Sequence, residues 1–147
     1  MTHKPLLAPG LHDVEESDLD NHFLSTFPTT KTRIGLILGL KRYLQALKQI
    51  GLSFEIWIDG SFTTEKIDPS DVDLVVFGSM IEIDSLPEAR KQHLARLVDR
   101  VNIKQALGCD VLFAVAEDQD LRSYWRGWYG YDRDEQPKGI ARIRVAP

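Results

Sequence analysis

Two periods organise the apolar residues of this chain. Residues 55–59 read as a strand, Gly60-Ser61 turns it, nine residues follow Ser61, and Asp71-Val72-Asp73 opens a second strand running through Leu74, Val75, Val76 and Phe77. Gly108-Cys109-Asp110 introduces a further apolar run, Val111 to Val115, and residues 139–145 read as a last strand in which Ile140, Ile143 and Val145 mix with Arg142 and Arg144. Helical spacing is plainest from Arg33 onward, where Ile34, Ile37, Leu40, Leu44 and Leu47 recur at intervals of three and four and predict a core-facing stripe. A second helix is predicted from the Ser85 cap and Pro87 through Ala106, with Leu94, Leu97, Val98 and Val101 inward and Gly108 ending it. Residues 118–128 read as a short helix with Leu121, Tyr124, Trp125 and Trp128 on one broad face.

Placed on these elements, the polar residues suggest chemistry. Side chains two apart on a strand point the same way, so Asp71 and Asp73 can share a divalent cation while Val72 faces the core. Magnesium, or manganese, takes hard oxygen ligands and is commonly held by one or two carboxylates plus substrate phosphates. Gly60 lets a backbone approach a phosphate closely, and Ser61 offers its N–H and its hydroxyl. Asp110, at the start of a neighbouring strand, is the third acid. It can join the metal set or accept the proton of an attacking hydroxyl. Asp59, just before the turn, reads equally as a site residue or as a partner for the turn's backbone.

Composition narrows the field. A chain of 147 residues with 43% hydrophobic and 27% charged residues supports one compact core. No apolar segment is long enough to span a bilayer and no secretion signal is evident at the start, so a soluble, cytoplasmic protein is expected. The single Cys109 reads as a small buried residue, and His3, His12, His22 and His93 lack zinc-ligand spacing. A net charge of −4 argues against broad nucleic-acid binding. Charge is nonetheless uneven: residues 12–20 are acidic, whereas residues 21–54 contain no acid and carry Lys31, Arg33, Lys41, Arg42 and Lys48. Arg33, at the helix entry near Thr29 and Thr30, is the candidate there for a phosphate or partner contact. Trp125, Trp128, Tyr129 and Tyr131, with Arg126 and Arg133, read as core aromatics or as a base-stacking surface, the core being favoured.

The Gly60-Ser61 turn, its spacing to Asp71-x-Asp73 and the later strand residue Asp110 resemble the signature of the nucleotidyltransferase superfamily, whose fold is that of the catalytic core of DNA polymerase beta. In style these motifs resemble those of minimal nucleotidyltransferases that act as antitoxins. It also resembles, over most of its length, a family of short uncharacterised nucleotidyltransferase-like bacterial proteins, through residues 9–14, the basic helix from Arg33, residues 58–62 and residues 129–143. The spacing here is one residue shorter than is common, and Phe62-Thr63-Thr64 stands where an arginine is usual; Lys66 in the same loop either supplies that cation or is simply solvated.

The resemblance implies an α+β (α/β) single-domain nucleotidyltransferase-like fold, a mixed β-sheet with helices packed mainly on one face. In it residues 1–28 form an N-terminal extension, 29–115 the motif-bearing core and 116–147 a C-terminal helix and strand. It implies catalytic and metal-binding roles for Asp71, Asp73 and Asp110, and nucleotide binding by Gly60, Ser61, Lys66 and Arg33. The expected activity is magnesium-dependent transfer of a nucleoside monophosphate from a nucleoside triphosphate to a hydroxyl. The alternatives are a catalytically weak module binding a protein partner such as a cognate toxin or defence protein, and a small metal-dependent hydrolase or nuclease. A homodimer or a partner protein would complete an acceptor site in so short a chain.

Overall fold

The computed structural model describes residues 3–130 and 137–147, apart from the side chains at positions 121, 125, 128 and 129. Its strands are β1 (Gly10–Asp13), β2 (Phe54–Asp59), β3 (Val72–Gly78), β4 (Cys109–Val115) and β5 (Gly139–Val145). Its helices are α1 (Leu19–Phe23), α2 (Arg33–Ile50), α3 (Met80–Asp84), α4 (Glu88–Leu97), α5 (Arg100–Leu107) and α6 (Gln119–Tyr129). The strands form one mixed sheet in the order β1-β5-β2-β3-β4. β2 runs antiparallel to both neighbours, while the β1–β5 and β3–β4 pairs are parallel. The fold is mixed α/β, as expected.

Alternation along the strands divides the apolar residues between two faces. Ile56 and Ile58 of β2, Val72, Leu74 and Val76 of β3, and Ala141 and Ile143 of β5 pack with Ile37, Leu40, Leu44 and Leu47 of α2, Leu94 and Leu97 of α4, and Ile103 of α5. Each such side chain withdrawn from water contributes roughly 1.5–3 kcal/mol. The opposite face carries a smaller cluster of Trp57, Val75, Phe77, Ala114 and Ile140. Arg122 ties α6 there, donating to the Ala116 carbonyl (2.9 Å) and to Glu55 (3.0 Å) with its guanidinium 4.7 Å above the Phe77 ring.

Two expectations are corrected. The α2 stripe is rotated: Ile34 is 56% exposed, whereas Leu36 and Tyr43 join the core, because Arg33 turns inward beside Ile34 and claims that face of the first turn. The single helix expected from Pro87 to Ala106 is two, α4 and α5, and α3 precedes it. Ser85 closes α3, Pro87 precedes α4, and Asp99 breaks the run by accepting from the Asn102 N–H at the start of α5, which leaves Val101 outside and puts Ile103 in the core. The N-terminal extension is built into the domain: β1 pairs with β5, and Leu19 and Phe23 are fully buried.

The acidic and basic segments answer each other in part. Glu16 pairs with Lys48 and Asp20 with Lys41, and Asp13 takes Arg142 in a two-point bond. The charge asymmetry read along the chain is thus partly closed within the molecule, with each exposed pair worth no more than about 1 kcal/mol.

Candidate metal and nucleotide site

The candidate site lies on the α6 face, where β2 ends and β3 and β4 begin. Register builds it. Asp59 of β2 stands opposite Asp73 of β3, and Asp73 stands opposite Asp110 of β4, so three carboxylates cross the sheet in one row. Asp71 immediately precedes β3, two residues from Asp73. One oxygen from each of Asp71, Asp73 and Asp110 lies within 4.8 Å of the others. Oxygens bonded to one octahedral magnesium at ~2.1 Å are ~3 Å apart when adjacent and ~4.2 Å when opposite, so acids this close can converge on a shared ion. The donor set, hard and anionic, fits magnesium or manganese.

The Gly60-Ser61 turn closes over this row. Gly60 has φ +82°, a conformation that favours glycine, and a Cβ there would collide with the Asp73 carboxylate. The turn continues as a short 3₁₀ segment, Gly60–Thr63, held by the Thr64 N–H and hydroxyl on the Ser61 carbonyl (3.2 and 2.7 Å). The Ser61 side chain makes no hydrogen bond to a described residue and is half-buried.

Arg33 occupies a different place from the one expected. It is completely buried, and its guanidinium donates to the carbonyls of Phe23, Phe62, Thr64 and Lys66 at 2.7 to 3.3 Å, with Phe27 stacked 3.8 Å from its Cζ. All five N–H donors have acceptors, leaving none for a phosphate. Arg33 therefore shapes the loop after Ser61 from inside the protein. Burial lowers its pKa to about 10, which leaves it charged at neutral pH. Asp68 fastens the same loop from outside, accepting from the Lys31 N–H (2.6 Å) and the Thr30 hydroxyl (3.2 Å); these bonds hold its carboxyl below the usual range. Lys66 is half-buried in this loop, and its carbonyl serves Arg33.

Basic side chains absent from the sequence-based expectations surround the acids. Arg100 forks onto Asp110 (2.6 and 3.2 Å), and Lys104, one helical turn further along α5, reaches Asp71 at 3.2 Å. Lys138 lies 2.8 Å from Asp59, both side chains being buried. Asp73 alone in the cluster has no ion-pair partner among the described residues. Burial and the charges of Asp71, Asp110 and Asp59 push its pKa up to about 7, whereas the Arg100 bonds hold that of Asp110 below the usual range. Burial also raises Asp59, to about 6, against the opposing pull of Lys138. Cys109 is buried and pushed up to about 12, as suits a packing residue.

Sequence spacing could have found Arg100 and Lys104, since two cations at i and i+4 ahead of a strand aspartate reach one face. Lys138 gave no comparable signal, because its partner lies on another strand whose neighbour the sequence does not specify. The aromatic cluster falls mostly outside the description: the side chains of Trp125, Trp128 and Tyr129, and Tyr131 and Arg133 as a whole, lie outside the described residues. No helix among the described residues is long and apolar enough to cross a membrane.

The chain belongs to a family described as a family of unknown function (DUF6932), which matches residues 1–144. No curated protein and no solved structure matches it.

Proposed function

We propose that this protein is a metal-dependent nucleotidyltransferase, moving a nucleoside monophosphate from a nucleoside triphosphate to an acceptor hydroxyl with release of pyrophosphate. The observation that carries this reading is the meeting of Asp71, Asp73 and Asp110 within 4.8 Å beneath the Gly60-Ser61 turn. Asp71 and Asp73 would hold magnesium or manganese, joined by Asp110. The metal would supply Lewis-acid neutralisation of charge on the phosphoryl oxygens. Gly60 would give the triphosphate close access to the backbone, and the Ser61 N–H and hydroxyl would donate to it. Asp110 would take the proton of the acceptor hydroxyl, a role that requires Arg100 to release it first, because a carboxylate held in a two-point guanidinium bond is a weak base. The cytoplasm, where nucleoside triphosphates are available, is the compartment this chemistry requires.

One observation favours a second reading, that of a nucleotidyltransferase-like module acting by binding a protein such as a cognate toxin. Arg100 and Lys104 already neutralise two of the three acids. A single experiment separates the two. With α-labelled triphosphates, magnesium and an extract as acceptor source, label transfer with pyrophosphate release, lost in Asp71→Asn, supports the enzyme. Release of inorganic phosphate or cleaved nucleic acid would instead mark a hydrolase or nuclease. No turnover, with a partner retained by the Asp71→Ala, Asp73→Ala protein, would establish the binding module.

A further inference from the structure

A cleft of about 550 Å³ opens between α6 and the starts of β1 and β5, its walls including Gly10, Ser123, Arg126, Gly127, Gly130 and Lys138. Its volume suits a small ligand. It lies on the same sheet face as the acid row, since Ile140 in its wall packs with Trp57, two residues before Asp59 on β2. Lys138 belongs to both places: it lines the cleft and its amine is 2.8 Å from Asp59. Three glycines leave stretches of wall without side chains, so a ligand can reach the backbone. No described carboxylate lines the cleft, while Arg126 stands exposed in its wall with no ion pair to a described residue. The charge of the described lining is positive.

We propose that this cleft binds a phosphate-bearing small molecule, with Arg126 as its counter-charge and Lys138 joining it to the acid row. The proposal rests on the nucleotidyltransferase reading for what happens next: the phosphate is either the tail of the nucleoside triphosphate or a group on the acceptor that carries the attacking hydroxyl. Both are phosphate chemistry, and the probes distinguish them.

The test is a titration of ¹⁵N-labelled protein with tripolyphosphate and with ribose 5-phosphate, following the amides of Gly10, Gly127 and Gly130. Arg126→Ala removes the counter-charge. Gly127→Leu fills the cleft, and a Cβ there meets nothing within 4 Å, so this helical position accepts a side chain. Perturbation of these amides by tripolyphosphate assigns the cleft to the nucleotide tail, and perturbation by ribose 5-phosphate assigns it to the acceptor. In either case both variants should weaken binding by roughly tenfold or more, as for loss of a charge-assisted contact. If neither probe moves those amides, or if both variants bind as the wild type does, the proposal is wrong. The Asp71→Ala, Asp73→Ala protein keeps the two readings apart: loss of nucleotide binding there with the cleft response intact concerns the acid row alone, and the reverse concerns the cleft alone.

Discussion

Lys138 and Asp59 form a buried ion pair, 2.8 Å from amine to carboxylate, that links the residue just before the last strand to the strand ending at the Gly60-Ser61 turn. A buried pair is costly to break from one side, because the survivor is left charged in a poor solvent. Lys138→Met should therefore destabilise the protein by about 3–5 kcal/mol. Adding Asp59→Asn should recover a substantial part of that loss. Chemical denaturation of the two single variants and the double variant checks this; additive costs would mean that the residues do not act as a pair.

Arg33 is predicted to matter for stability before anything else. Lysine keeps the charge but has three donors on a flexible stem, and cannot reproduce a planar fork serving four carbonyls. Arg33→Lys should cost on the order of 2–4 kcal/mol, since buried carbonyls lose their partners. Thermal unfolding measures the loss. Hydrogen exchange should show the loop from Phe62 to Lys66 opening more readily in the variant, and unchanged protection would remove Arg33 from that role.

Asp73 carries the signature of a site kept at the expense of stability. Its folded pKa, about 7, stands above the ordinary value of 3.8, so between these values the folded protein retains a proton that the unfolded chain has lost. Stability from this group is therefore full below about pH 4 and declines as pH rises to about 7. Asp73→Asn removes the penalty. Its advantage over the wild type should grow across that window and reach on the order of 1–3 kcal/mol at pH 8. Denaturation at pH 5 and pH 8 measures it; a variant less stable than the wild type at pH 8 would show that the Asp73 charge is well compensated.

Much of this was legible in the sequence, for reasons that can be stated. The first strand follows from period-two alternation and the second from the apolar run Leu74 to Phe77, and the placing of Asp71 and Asp73 on one side follows from strand period. The core stripe of α2 was found with one turn misread, because spacing cannot tell that a buried arginine displaces Ile34. The helix break at Asp99 was missed, since apolar spacing runs on through Val101 while the cap depends on a single aspartate and the Asn102 amide. That β5 inserts between β1 and β2 is a matter of long-range pairing, invisible to local pattern, and with it went the pairing of Lys138 with Asp59.

On the proposed function, the acid row holds a divalent cation together with a triphosphate. Calorimetric titration of each nucleoside triphosphate, with and without magnesium, into the wild type and the Asp71→Ala, Asp73→Ala protein tests it most directly. Binding should require magnesium and disappear in the double variant. Magnesium-independent binding, or equal binding by both proteins, would contradict this reading.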